Sequence, residues 1–102
     1  MTELCAELAS SHGGDIELAE RMIVACAAAG ADTVKVQSYS RERINPRDPQ
    51  ADWLRKAWLS VEALSELQAI AKGNGVQFLA TPFDSASLSI LRGLGLTRFK
   101  IA

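Results

Sequence analysis

Thr33-Val34-Lys35-Val36-Gln37 is the stretch on which the reading of this chain turns. It follows Ala28-Ala29-Gly30-Ala31-Asp32, which reads as a helix end and a tight turn. Alternation at period two puts Val34 and Val36 on one face and Lys35 and Gln37 on the other. A strand buried on both faces between helices is apolar nearly throughout. A lysine inside it needs an anionic partner to offset its desolvation. Either the strand is an edge with a wet face, or its polar face lines a cavity that holds something negative.

Working outward, Leu4 to Leu8 reads as a short strand with Glu7 near its C-terminal end. Ser10 to Gly14 is a loop, and Asp15 is placed to cap a helix whose apolar residues Ile16, Ala19, Met22, Ile23 and Cys26 recur at helical spacing. Ser38 to Gln50 is a long surface loop. A short helical piece spans Ala51 to Ala57, with Trp53 and Trp58 as packing anchors. Ser60 caps a helix from Val61 to Lys72, which Gly73-Asn74-Gly75 ends. Val76 to Ala80 is a third strand and Thr81-Pro82-Phe83-Asp84 its exit. Asp84 or Ser85 caps a helix to about Leu94, and Arg98 to Ile101 reads as a fourth strand.

Such regular alternation predicts parallel strands joined by helical crossovers. Two forms satisfy it, an open doubly wound sheet or part of a (β/α)8 barrel. No Gly-x-Gly-x-x-Gly follows the first strand and no P-loop is present, so a dinucleotide fold loses support. In a barrel the C-terminal strand ends face the site. Glu7, Lys35 with Gln37, Thr81 and Lys100 fall at such ends, one group from each strand.

Composition narrows the function. At 102 residues there is one small domain, and 48% apolar residues with 23% charged argue against disorder. Net charge is −1 without a basic block, so no nucleic-acid surface is expected. No apolar run approaches a membrane span and no secretory leader is evident, so a cytoplasmic protein is expected. Two cysteines, Cys5 and Cys26, read as buried reduced thiols. A single histidine cannot build a His-rich metal site.

The four rim positions form the constellation. Two lysines could hold a small polyanion, with the Thr81 hydroxyl completing the hydrogen bonds. Glu7 is the carboxylate available to orient a hydroxyl or move a proton. The bland alternative is a Glu7–Lys35 or Glu7–Lys100 ion pair with no ligand.

These residues sit in blocks that resemble the N-terminal part of the sialic acid (N-acetylneuraminate) synthase family. The blocks are Ala6-Glu7 with Ser11 to Ala19, Ala29 to Gln37, Phe78 to Asp84, and Phe99 to Ala102. The resemblance implies a (β/α)8 barrel, here strands one to four with the intervening helices as an incomplete domain over residues 1–102. It implies condensation of phosphoenolpyruvate with an N-acetylated amino sugar to a nonulosonic acid, with release of phosphate. By the same resemblance Lys35, Thr81 and Lys100 would bind phosphoenolpyruvate, and Glu7 and Gln37 would meet the sugar. Glu7, Lys35 and Lys100 would form the catalytic set. A divalent metal, manganese or magnesium, would polarise the sugar aldehyde, with ligands outside this chain. Asp84 would cap its helix, and His12 would shape its loop.

The family's first-strand motif reads closer to Glu-Ile-Gly-Ile-Asn-His-Asn-Gly-Asp. Here Leu8 to Asp15 replaces it, so contacts made by those asparagines are not carried over. The later barrel strands and the family's C-terminal antifreeze-like domain are also outside the sequence. Four strands of eight would leave two open edges and a wet inner face. The isolated chain is therefore expected to be marginal, and to need the missing half or self-association. Three readings follow: a partial synthase inactive alone, one half of a split or self-pairing barrel, or a non-catalytic α/β module that keeps a small-anion site.

Overall fold

A computed structural model describes residues 2–102. It contains β1 (Cys5–Ala9), α1 (Ile16–Ala28), β2 (Thr33–Ser38), a 3-10 turn (Arg41–Arg43), α2 (Ala51–Ala57), α3 (Val61–Gly73), β3 (Gln77–Pro82) and α4 (Ser85–Gly93). The strands form one parallel sheet in the order β1-β2-β3. Helices α1, α3 and α4 begin where their sequence signals lie. Asp15 accepts from the Leu18 amide, Ser60 from Ala63 and Asp84 from Ser87, so each side chain satisfies an amide that its helix leaves unpaired.

The helices cover one face of the sheet. Val34, Val36, Phe78 and Ala80 form a single core with Ala19 and Ile23 of α1, Leu64, Leu67 and Ala71 of α3, and Leu91 of α4. A doubly wound sheet would carry helices on both faces. One-sided cover is the arrangement of a barrel wall, which leaves the other face to line an interior.

Two expectations need correction. Arg98 to Ile101 does not form a fourth strand. The segment makes one sheet-like hydrogen bond, from the Lys100 amide to the Ala80 carbonyl at 3.3 Å. A single long bond is not a ladder, although Phe99 still packs against the core. Cys5 is exposed, not buried, because it lies on the uncovered face of β1, whereas Cys26 is half-buried on α1.

The loop after β1 is shaped by close approach. Leu8 is an extra residue between the pairs Glu7–Lys35 and Ala9–Val36, so β1 bulges there and Leu8 turns into the core. Gly14 (φ +81°) brings the loop onto α2, where an added Cβ would lie 1.9 Å from the Lys56 carbonyl oxygen. Only glycine fits that position. His12 is buried, and its Nδ1 accepts from the Gly14 amide at 2.9 Å. Burial lowers its pKa against an opposing hydrogen bond from the ring to the Ala9 backbone, and with Nδ1 accepting from Gly14 the ring is a neutral strut of the loop.

Candidate functional site

Parallel register fixes which residues share the uncovered face. Cys5, Thr33 and Gln77 are paired at one end, then Glu7, Lys35 and Leu79, then Gln37 and Thr81 toward the carboxyl ends. The strand period thus brings together the polar residues that the sequence singled out on the first three strands.

Lys35 and Glu7 meet directly, with Nζ 2.7 Å from Oε1. The lysine side chain is 14% exposed and the glutamate 45%. The other carboxylate oxygen of Glu7 accepts from the Ala9 amide at 3.0 Å. The bulge at Leu8 therefore aims that amide back at Glu7, and the strand end orients the carboxylate as well as pairing it. The lysine and the carboxylate hold each other across β1 and β2. An anion arriving at Lys35 must share it with Glu7.

Thr81 is buried and Gln37 half-buried, side by side across β2 and β3. Lys100 stands apart. It is exposed, and its ammonium donates to the Ile101 carbonyl at 2.7 Å. Of the two ion pairs foreseen, the Glu7–Lys35 pair forms.

Two parts of the face were not foreseen. At the amino ends, Arg98 donates to Gln77 at 2.9 Å and to Glu3 at 3.1 Å, and Glu3 also accepts from the Thr33 hydroxyl. The Thr33 hydrogen bond, followed by that from Arg98, holds the Glu3 carboxyl below its ordinary pKa. At the carboxyl ends, Asp84 does more than cap α4. Its carboxylate also accepts from the Ser40 amide at 2.7 Å and the Ser40 hydroxyl at 2.9 Å. Burial pushes the Asp84 pKa up, but the hydrogen bonds from Ser87 and Ser40 outweigh it and hold it at about 2. The cap was legible from its spacing to Ser87. The tie to Ser40 joins residues 44 apart and has no local signal. It fastens the loop after β2 to the loop after β3, directly above Gln37 and Thr81 in chain order.

Among the described residues, no group of three or more His, Cys, Asp or Glu side chains is arranged to hold a metal ion. The one histidine has Nδ1 committed to the Gly14 amide. These residues do not fit a metal centre by themselves. No described helix is long and apolar enough to cross a membrane.

A one-sided α/β wall with an ion pair and paired polar side chains on its bare face is the class that fold and site define. The chain belongs to the NeuB family, whose profile matches residues 22–102. It is 35% identical to the N,N'-diacetyllegionaminic acid synthase of Campylobacter jejuni serotype O:2, over 98% of this chain and 34% of that protein. It is 29% identical to the mouse N-acetylneuraminate-9-phosphate synthase, over 96% of this chain and 31% of that protein. The crystal structure of an N-acetylneuraminic acid synthetase from Leptospira borgpetersenii, in complex with citrate, superposes with a TM-score of 0.90 at 32% identity. That match covers 96% of this chain and 35% of the other. The chain thus spans about a third of the length of the relatives it matches.

Proposed function

We propose that this chain carries one wall of a nonulosonic acid synthase site, built as strands of a (β/α)8 barrel. The reaction is condensation of phosphoenolpyruvate with an N-acetylated amino sugar, forming a carbon–carbon bond and releasing phosphate. The observation that supports this most is the Glu7–Lys35 pair on the bare face, with Gln37 and Thr81 in register beyond it. Phosphoenolpyruvate carries a phosphate and a carboxylate, which suit the Lys35 ammonium and the Thr81 hydroxyl. Lys100 joins them by swinging its ammonium from the Ile101 carbonyl toward the anion. Gln37 offers donor and acceptor to a sugar hydroxyl. Glu7, steadied by the Ala9 amide, holds or moves a proton on the sugar side.

The other wall comes from residues beyond this chain or from a partner copy. A manganese or magnesium ion of the complete site would be held there, and it would supply Lewis-acid polarisation of the aldehyde. The protein works in the cytoplasm, where its phosphorylated substrate is made.

The test is phosphate release from phosphoenolpyruvate with N-acetylmannosamine and manganese. The chain is assayed alone and with the complementary C-terminal segment of a family synthase. No release alone, release on complementation, and loss of that release in Lys35→Met are expected. Complemented release that Lys35→Met leaves unchanged would sink the reading. Phosphoenolpyruvate binding without turnover in either assay would instead identify a non-catalytic anion-binding module.

A further inference from the structure

The pairing of β2 with β3 runs one step past the strands themselves. The Phe83 amide donates to the Ser38 carbonyl at 3.0 Å, the same pattern with which the Gln77 amide and the Asp32 carbonyl open the ladder. Tyr39 therefore stands opposite Phe83 on the bare face, one step beyond Gln37 and Thr81. The two rings meet edge to face, with centroids 6.4 Å apart. Phe83 is half exposed, so packing alone does not seal this end of the ladder against fraying.

A single carboxylate closes it. Oδ2 of Asp84 accepts from the Ser40 amide at 2.7 Å, and Oδ1 accepts from the Ser40 hydroxyl at 2.9 Å. Oδ1 also accepts from the Ser87 amide at 2.8 Å, which is the cap of α4. A cap needs only that last bond. The two bonds to Ser40 are additional to it, and they join the loops that leave Gln37 and Thr81. The loop after β2 is fixed on its other side as well. The Tyr39 hydroxyl donates to the Leu54 carbonyl of α2, and the Tyr39 carbonyl accepts from the Trp58 indole at 3.0 Å. Trp53 of α2 in turn donates to the Ser10 hydroxyl, in the loop after β1, at 3.0 Å. The loops after β1, β2 and β3 are thus tied in series, and Asp84 is the link that brings β3 into the series.

We infer that Asp84 is a positioning residue: acting through Ser40, it fixes the spacing of the Gln37 and Thr81 side chains on the bare face before a ligand arrives. This rests on the synthase reading for the identity of that ligand, phosphoenolpyruvate. Polar groups that are already held in place lose less freedom on binding, so a tied rim binds more tightly than a loose one.

Two variants break the tie from opposite sides and keep the α4 cap. Asp84→Ser has one side-chain oxygen, which the Ser87 amide takes. Ser40→Pro removes both donors and leaves Asp84 untouched, and the φ of −79° at Ser40 admits proline. Ser40→Thr keeps both donors and is the rescue. The 102-residue chain, labelled with nitrogen-15 and carbon-13, is followed at the Gln37 side-chain amide and the Thr81 methyl and titrated with phosphoenolpyruvate. Asp84→Ser and Ser40→Pro should each broaden both signals and weaken phosphoenolpyruvate binding by about tenfold, while Ser40→Thr binds like the parent. Sharp, unshifted Gln37 and Thr81 signals in both variants overturn the positioning role. Binding unchanged in both variants overturns it too, because the tie is then architecture alone. Weaker binding in Asp84→Ser with Ser40→Pro like the parent also overturns it, because the lost charge is then the cause. A parent chain that does not respond to phosphoenolpyruvate removes the synthase reading, and the two signals then decide the positioning by themselves: broadened signals uphold it and sharp ones overturn it.

Discussion

Neighbouring residues of β2 belong to two different molecules, in effect. Val34 and Val36 are fully buried against α1 and α3, inside a continuous apolar core. Lys35 and Gln37, one residue away, face the uncovered side and are only half-buried. The helix face carries the stability, and everything on it is apolar or small. The other face carries charges held by partners and hydrogen bonds instead of by packing. The open face does not depend on apolar contact, so its side chains can vary without dissolving the core.

Substitutions at adjacent positions break the comparison most sharply. Val36→Asp places a carboxylate among Ala19, Leu67 and Ala80 on the sealed face, with no partner for it. A loss of more than about 4 kcal/mol is expected, which is enough to abolish a cooperative urea transition followed by circular dichroism. Gly14→Ala shows the same rigidity in the loop, but through a backbone clash instead of a buried charge.

Lys35→Met should do the opposite. It removes the charge on the open side and leaves Glu7, 45% exposed, to the Ala9 amide and water. Stability should change by less than about 1 kcal/mol, since a partly exposed ion pair contributes little. Binding of phosphoenolpyruvate, followed by calorimetry, should fall by about a hundredfold, as expected when a strong charge-assisted contact is lost. A large loss of stability with unchanged binding would mean that the pair is architecture and not site.

The sequence made much of this legible because local signals agreed with one another. Period-two alternation at Val34 and Val36 gave the sheet faces. Asp15, Ser60 and Asp84 each stood ahead of a helical pattern and became caps. Strand-end positions and the family blocks singled out Glu7, Lys35, Gln37, Thr81 and Lys100, and register places the first four on one face while Lys100 stands apart. The fourth strand failed because Arg98 to Ile101 has the right composition but no ladder: Arg98 turns to Glu3 and Gln77, and the Lys100 side chain folds onto Ile101. Cys5 was misjudged because strand propensity says nothing about whether a face is covered. The Asp84–Ser40 tie and the Glu3–Arg98 pair join residues far apart in sequence, and no periodicity encodes them.

Acidification separates the two faces more gently. The carboxylate of Asp84 has its pKa lowered to about 2 from an ordinary 3.8. A carboxyl depressed in the folded state binds fewer protons there than in the unfolded chain. Its stabilisation is therefore complete above about pH 4 and is lost as the pH falls toward 2. Discounted for solvent exposure, the loss should be roughly 1 kcal/mol, read from urea midpoints between pH 5 and 2.5. Asp84→Asn should flatten that part of the profile. It should also loosen Ser40 and the loop over Gln37, while the core under Val36 is unaffected.

The smallest effect is expected at the opposite end of the same face. Arg98 links to Glu3 across 95 residues, a separation that invites the idea of a closing clasp. Exposure argues otherwise, because the side chains are 55% and 43% accessible, so water and salt screen the pair. Arg98→Ala should cost less than about 1 kcal/mol, and the cost should shrink further in high salt. Urea midpoints at low and high sodium chloride measure both. Thr33 would then keep Glu3 as its partner, while Gln77 turns to solvent. A loss above about 2 kcal/mol that salt does not reduce would show that this end of the sheet is shielded in solution, as only a surface covered by further protein would be.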